Sequence, residues 1–410
     1  MGFFEEMGDL IEARWKERDY AQAMFADVAA TALRERPPSA ALTMDQMIDW
    51  VLHAPRLPHQ THPEGQFGDP PVTVYVGDRF YIEVLFWADA TTSIHQHGFS
   101  GAFHVMGGSS VHTQYRFEQK RELNERVRTG KLEFVSSELL RHGDVRPIRS
   151  GSGFIHALFH LERPSLSVVV RTPEDALAGP QYTYLPPGLG YDPFSKPRRM
   201  IVMQRTLDLV RRASPDRYEE TLRKVLLESD SWSTVHFLAE AIGAVDDDCA
   251  RRLIETVRTV HPDLAEQLPA VRDELLRQAN ILNRRFVVHD RDHRFFLAVL
   301  LNLPTREQMF EMIRAAYPGA SPEALVVDWV RALAGTPFPG KVDENLIGIH
   351  LDEIGICIFS HLLNRATNGQ VFQRLREEFD EESVDAQREE IFALCDAFRS
   401  SLLFRSLLAT

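Results

Sequence analysis

Three histidines in the chain have the spacing of a metal site. His95 and His97 stand two residues apart in the run Thr-Ser-Ile-His-Gln-His-Gly. On a β-strand, residues at positions i and i+2 point to the same face, so both imidazoles could share one ion. A third ligand must come from another strand. His156, in the run Gly-Phe-Ile-His, is well placed to supply it.

The segments that must position these histidines read as short β-strands. Residues 72–76 and 79–87 alternate apolar and polar types and flank the turn Gly77–Asp78, which is the signature of a hairpin. Many short strands separated by Gly, Ser and Asp predict a sandwich or a barrel. The further strands are expected at residues 92–106, 110–117, 131–137, 144–148, 153–159 and 165–171. The charged segment 118–129 is expected to be a helical or loose insertion.

Helical periodicity dominates both flanks of this β-rich region. Apolar residues recur at helical spacing over residues 3–34, and a capping signal at Thr43 predicts a further helix behind it. Residues 174–198 are rich in Gly and Pro and are expected to form a long loop, and the pattern from about 199 onward is helical. We therefore expect an α+β multidomain protein: N-terminal helices over 1–54, a metal-binding barrel with flanking loops over 55–198, and an all-helical domain over 199–410.

Composition narrows the classes of partner. Of 410 residues, 59 are acidic and 46 basic, and a net charge of −13 argues against a nucleic-acid partner. The three scattered cysteines form neither a disulfide framework nor a CxxC metal site, which is typical of a cytoplasmic protein. No signal peptide or membrane span is expected. The expected partners are a small-molecule substrate and, as an option, a second copy of the chain in a homodimer.

The histidine motif resembles the first motif of the cupin superfamily, Gly-x5-His-x-His-x3/4-Glu-x6-Gly. His95 and His97 match the histidine pair, Gly108 matches the closing glycine, and Gly101 stands where the acid belongs. The second cupin motif is similar to residues 143–160, with His156 as its histidine and His160 in place of its asparagine. This half departs from the pattern through Gly151, which replaces a proline, and through two extra residues before Gly153. The resemblance implies a cupin-type β-barrel, a double-stranded β-helix or jelly roll.

Within cupins, residues 79–173 resemble the cysteine dioxygenase (thiol dioxygenase) branch. The run Leu85-Phe86-Trp87 followed by the histidine pair looks like that branch's strand entering its iron site. The branch uses three histidines and no carboxylate, which agrees with Gly101. Its Ser-x-His-x-Tyr run corresponds here to Ser167, Val169 and Arg171, so the histidine and tyrosine are missing. The resemblance thus implies a mononuclear non-heme Fe(II) dioxygenase that uses O2, with a substrate other than cysteine.

Metal and reaction both stay open at this point. Three neutral imidazoles leave about three positions on an octahedral metal for substrate and O2. Zn, Mn and Ni are alternatives to Fe(II) in such a site. The expected function is oxidation of a small polar metabolite, with a thiol as one candidate. The alternatives are another metal-dependent cupin reaction, such as C–C cleavage or isomerisation, and a non-catalytic ligand sensor whose helical domain binds a partner protein.

Residues beyond the three histidines could bind substrate or assist catalysis. Arginines could hold a substrate carboxylate with a two-pronged hydrogen bond, and Arg171, on the strand after His156, is the first choice. Histidines near the ligands could shuttle protons or orient a ligand, and strand tyrosines could donate a hydroxyl. The remaining candidates are His160, His104, His112, Tyr75, Tyr81 and Arg149.

Overall fold

The computed structural model describes residues 2–61, 67–175, 178–194 and 196–409. By backbone contacts the chain divides into two compact units. The first comprises Met1–Ser136 and Leu140–Leu275, and the second comprises Ser137–Leu139 and Leu276–Thr410. The expected fold class, a β-barrel followed by a helical region, is confirmed.

The first unit opens with helices and continues with two β-sheets. The helices are α1 (Gly2–Lys16), α2 (Gln22–Glu35), α3 (Pro38–Ala41) and α4 (Met44–His53). The expected capping box at Thr43 is present, because its side chain accepts from the Gln46 backbone N–H and the Gln46 side chain accepts from the Thr43 N–H. The strands are β1 (Pro71–Val76), β2 (Tyr81–Trp87), β3 (Ile94–His97), β4 (Gly101–Gly107), β5 (Ser110–Asn124), β6 (Val127–Leu140), β7 (Val145–Ile148), β8 (Gly151–His160), β9 (Ser165–Arg171), β10 (Thr183–Leu185) and β11 (Leu189–Tyr191).

The strands form one open sheet and one closed barrel. The open sheet has the order β1-β2-β9-β4-β7, and the closed six-stranded barrel has the order β10-β11-β6-β5-β8-β3. The open sheet has two contrasting faces because side chains alternate along each strand. On one face Ala102, Val168 and Val170 pack into a core with α1 and α2. On the other face Phe103 and Val169 pack into a separate apolar cluster inside the β-structure.

Two expectations about the β-region are wrong. Segment 118–129 is not an insertion, because it forms the tip of the long hairpin between β5 and β6. Its charged side chains are exposed or half-buried, whereas Val127 and Thr129 are buried. Residues 174–198 are not a plain loop either, since β10 and β11 form a hairpin that pairs with β3 and β6.

Helices complete the first unit. They are α5 (Arg198–Ala213), α6 (Pro215–Leu227), α7 (Ser231–Ala241), α8 (Asp247–Val260), α9 (Pro262–Ala265) and the start of α10 (Leu268–Val287). Their apolar faces share one core with Val127 of β6 and Leu189 of β11. The three-segment domain division stays a prediction, and the compact units part near residue 275 because of this shared core.

The second unit contains the remaining helices. They are the rest of α10, α11 (Arg291–Asn302), α12 (Arg306–Ala316), α13 (Pro322–Ala334), α14 (Glu353–Leu363), α15 (Asn368–Glu378), α16 (Glu381–Ala386) and α17 (Arg388–Ser400). Aromatic pairs such as Phe296–Trp329 and Phe359–Phe398, with ring centroids 5.4 and 5.2 Å apart, lie in their core. Among the described residues, no helix is both long and apolar enough to cross a membrane.

Candidate metal centre

The three histidines expected from the sequence meet inside the first unit. His95 and His97 lie on β3, and His156 lies directly opposite His95 on the neighbouring strand β8. One ring nitrogen from each lies within 4.8 Å of the others, and all three side chains are buried. In the part of the chain that the structure describes, they are the single group of three or more His, Cys, Asp or Glu residues with this geometry. These three residues could hold a metal ion.

Ring-nitrogen positions fit a metal with adjacent ligands. The Nε2 atoms of His97 and His156 are 2.9 Å apart. Metal–imidazole bonds of about 2.0–2.1 Å with a right angle between them place two nitrogens roughly 3 Å apart. This spacing therefore suits two ligands of one ion that occupy neighbouring positions.

Neighbouring groups orient two of the three rings. His95 Nδ1 donates to the backbone carbonyl of Ser93 at 2.8 Å, which leaves the Nε2 lone pair for a ligand role. His156 Nδ1 lies 3.0 Å from Nε2 of His112, and in the tautomer in which His156 Nδ1–H donates to His112 the His156 Nε2 lone pair is available. His97 has no such partner, because its Nδ1 is buried without a hydrogen bond among the described residues.

Burial keeps the ligand set neutral. It lowers the pKa of His95 to about 4 and holds the pKa values of His97 and His156 well below the ordinary histidine value. Neutral imidazoles have the lone pairs that a metal needs. The residues present thus fit a divalent metal, and among the residues that the structure describes no carboxylate joins the three-histidine group.

The centre opens into a large cavity of about 1680 Å³ within the first unit. The wall beside the histidines is largely aromatic and aliphatic, and the Phe67 ring lies 4.7 Å from that of His95. The apolar lining residues near the centre are Phe67, Leu85, Trp87, Phe99, Phe103, Ile148, Leu158 and Val169. Residues of the β5–β6 hairpin and of segment 173–194 also line the cavity.

Two of the expected substrate-binding residues line this cavity. Arg171 places its guanidinium carbon 3.6 Å from the centre of the Phe99 ring and its Nη1 3.6 Å from Oε2 of Glu83. Tyr81 lies beside it, with its ring centre 5.3 Å from the same guanidinium carbon. Burial raises the pKa of Tyr81 to about 12, so its hydroxyl stays protonated and can donate a hydrogen bond.

Two candidate histidines serve the strands rather than the cavity. His112 is fully buried, contacts the candidate ligand His156 and is not among the cavity-lining residues. His160 stacks on Trp87, with ring centroids 4.7 Å apart, and its Nδ1 lies 2.9 Å from the hydroxyls of Ser110 and Ser165. His112 therefore suits an orienting role, and His160 supports the wall behind Trp87.

Three other candidates lie outside the cavity lining. His104 is fully buried on the helix-facing side of β4, where the Ser39 backbone N–H approaches its Nε2 at 3.4 Å. Tyr75 packs against Gly8 of α1 and Phe80. Arg149 is exposed and pairs with Asp27 at 3.4 Å. For His104 and Tyr75 strand alternation explains the outcome, since each side chain faces the N-terminal helices.

Glu83 is a cavity residue that the sequence reasoning missed. It is 3% exposed, and burial raises its pKa although Arg171 acts in the opposite direction. A signal was available, because the alternation of β2 places Tyr81, Glu83, Leu85 and Trp87 on one face. All four line the cavity.

Comparisons with known proteins found similarity to parts of solved structures only. No protein-family model and no curated protein matches the chain. A cupin-2 domain protein from Shewanella frigidimarina is similar over 27% of this chain and 85% of its own, at 13% identity and a TM-score of 0.18. Hydroquinone 1,2-dioxygenase from Sphingomonas sp. TTNP3 matches at 12% identity over 27% of this chain and 70% of its own, with a TM-score of 0.21. The DMSP lyase DddQ from Ruegeria pomeroyi matches at 17% identity over 35% of this chain and 72% of its own, also at 0.21. Similarities at this level carry no statement about the activity of the present chain.

Proposed function

We propose that the chain is a mononuclear non-heme Fe(II) dioxygenase that oxidises a small metabolite with O2. The supporting observation is the buried group of His95, His97 and His156 in the wall of a large cavity. An iron ion held there would supply redox chemistry with O2, because three neutral imidazoles leave coordination positions for both O2 and substrate.

The chain's own residues have separate tasks in this proposal. The three histidines hold the ion, and the Ser93 carbonyl and His112 fix the orientation of two of them. The aromatic wall limits the access of water to the bound substrate. Tyr81 and Arg171 offer hydrogen-bond donors in the same cavity. Thiols are the first substrates to test because the sequence motif resembles that of thiol dioxygenases.

Metal analysis combined with O2 uptake tests the proposal. The protein is purified anaerobically, loaded separately with Fe(II), Mn(II), Ni(II) or Zn(II), and supplied with a panel of thiols and aromatic acids. We expect O2 consumption with Fe(II) and at least one substrate, and no consumption with Zn(II). An Fe(II)-loaded protein that consumes no O2 with any member of the panel contradicts the proposed activity.

The ligand assignment has its own test. His97→Ala removes one of the three ligands and is expected to lose tight metal binding. His104→Gln is the matched control, because His104 is equally buried but faces the N-terminal helices. A His97→Ala variant that binds metal as well as the wild type overturns the assignment.

A further inference from the structure

Arg171 lies within reach of the candidate metal centre. The Phe99 ring contacts both Arg171 and His97, since the ring centre is 4.7 Å from that of His97 and 3.6 Å from the Arg171 guanidinium carbon. The guanidinium carbon therefore lies within about 8.3 Å of the His97 ring centre. A single small molecule can reach both the centre and the guanidinium.

The hydrogen-bonding capacity of Arg171 is unused. A guanidinium has five N–H donors, yet within the described residues Arg171 donates no hydrogen bond, and its Nε is buried without a partner. The Glu83 carboxylate is the paired acid, but 3.6 Å between Nη1 and Oε2 is too long for a hydrogen bond. Burying such a group without partners costs free energy unless a ligand or water meets it.

Charge around Arg171 favours one further negative group. Glu83 and Glu174 both act on the guanidinium, so it is not an unopposed cation. A divalent ion on three neutral imidazoles adds two positive charges. With Arg171 and the two carboxylates counted, one positive charge is left to be neutralised by a ligand.

The wall of the chamber beside the centre suits an apolar group, whereas the charged lining residues other than Glu83 and Arg171 lie on the β5–β6 hairpin and in segment 173–194. Phe67, Phe103, Trp87 and Leu158 line the chamber near the centre, and the indole N–H of Trp87 is already used on Ser167 Oγ at 3.2 Å. Walls of this kind recognise a ligand through apolar contact area, with a few polar groups that set its orientation.

We infer that the substrate is a monoanion with an apolar, flat body, whose carboxylate is held by Arg171 and whose body lies against Phe99 and Phe103. This inference rests on the proposed function only in calling the ligand a substrate, because the binding itself does not require turnover. It replaces the expected small polar metabolite with an amphipathic acid. Glu83 competes for the same guanidinium and weakens the binding of the acid.

Calorimetric titration with simple probes tests the inference. The probes are 3-phenylpropanoate, its neutral amide, and acetate, each titrated into chelator-treated and Zn(II)-loaded wild-type protein. We expect 3-phenylpropanoate to bind at least about 10-fold more tightly than the amide or acetate. Arg171→Gln is expected to lower the affinity for the acid at least about 10-fold and to leave the affinity for the amide nearly unchanged. Glu83→Gln is expected to raise the affinity for the acid by about 3-fold or more, because it removes the carboxylate charge that competes for Arg171.

Arg149→Gln serves as the control, since it removes the same charge from an exposed site outside the cavity lining. It should change the affinity for the acid by less than about 2-fold. Equal binding of acid and amide, or an Arg171→Gln variant with wild-type affinity, overturns the inference. Failure of the proposed function has a different signature: Arg171-dependent binding of the acid together with no O2 consumption in the presence of Fe(II).

Discussion

His112 makes the surroundings of His156 different from those of the other two candidate ligands. Two buried imidazoles in contact must share one proton, and here the Nδ1 of His156 and the Nε2 of His112 are 3.0 Å apart. His112 lies diagonally across from His156 on β5, opposite Leu158. Because the side chain does not line the cavity, its effect on chemistry must pass through His156.

We expect His112→Phe to weaken metal binding about 10- to 100-fold, since His156 would lose the acceptor that fixes its tautomer. His112→Gln keeps an acceptor and should recover most of the affinity. Competition titrations with Co(II) or Zn(II) measure both, and the Co(II) absorption spectrum reports any change of geometry. His104→Phe is the matched control, because His104 is an equally buried histidine on β4 whose side chain faces the N-terminal helices. If His112→Gln loses as much affinity as His112→Phe, the role of His112 is packing alone.

The sequence indicated the ligand residues better than it indicated their surroundings. Alternation along one strand is enough to bring His95 and His97 to one face, and the motif pointed to His156. By contrast, His104 and His112 stand eight residues apart on consecutive strands that belong to different sheets. Whether each side chain faces inward depends on register and on what packs against each sheet, which no local pattern contains.

At the scale of secondary-structure elements, strands β4 and β9 approach each other closely at Gly101. Gly101 is the direct partner of Arg171, and a Cβ at this position would collide with the carbonyl oxygen of Val170. The position where the cupin motif has its acid is thus filled by closely approaching backbone. A side chain there cannot become a fourth ligand without moving the strand.

Gly101→Ala is therefore expected to destabilise the fold by about 2–4 kcal/mol, as an overpacked backbone contact does. Gly101→Glu should destabilise it further and should not raise metal affinity. Gly153→Ala is the control, because a Cβ on this exposed glycine would meet neighbours only at ordinary contact distances. Urea denaturation of the three variants checks the order. A Gly101→Glu protein with wild-type stability and tighter metal binding contradicts this account.

His104 makes the packing of β4 against the N-terminal helices sensitive to acid. Burial lowers its pKa from 6.5 to about 4 in the folded state, so the unfolded chain binds the proton more readily between these values. Stability is therefore complete above pH 6.5 and falls as the pH drops from 6.5 towards 4, by about 3 kcal/mol. His104→Leu should remove this part of the pH dependence, as measured by urea denaturation at several pH values. An unchanged pH slope in the variant excludes His104 as its source.

Element prediction failed where a segment's partner was remote in sequence. The tip of the β5–β6 hairpin is highly charged, and β10 and β11 are three residues each, so neither resembles an isolated strand. Both become strands because β11 pairs with β6 and β10 pairs with β3. Tertiary pairing overrides local propensity in such cases.

At the scale of the whole molecule, the helices after residue 198 belong to two different cores. Those up to the start of α10 bury their apolar faces together with Val127 and Leu189 of the barrel. Later helices form the core of the second unit. Helical periodicity looks alike on both sides of residue 275, which is why the sequence suggested one domain.

Leu253→Ala tests the shared core, because Leu253 of α8 is fully buried within it. We expect a loss of about 2–4 kcal/mol, as for other leucine-to-alanine changes in well-packed cores. Hydrogen exchange should rise in α8 and also in β6 and β11. Leu209→Ala, at a position 63% exposed on α5, is the control. Faster exchange confined to the helices would separate them from the barrel core.

The direct pairing of His95 with His156 makes the donor set a property of two adjacent strands. All three imidazoles belong to β3 and β8, whereas Arg171, Glu83 and Phe103 belong to the other sheet. The three-histidine ladder could therefore be grafted onto an unrelated β-scaffold with the same cross-strand register. Substrate selectivity would not be transferred with the three histidines, because the residues proposed to bind substrate lie on the other sheet. They could therefore be redesigned without changing the metal ligands.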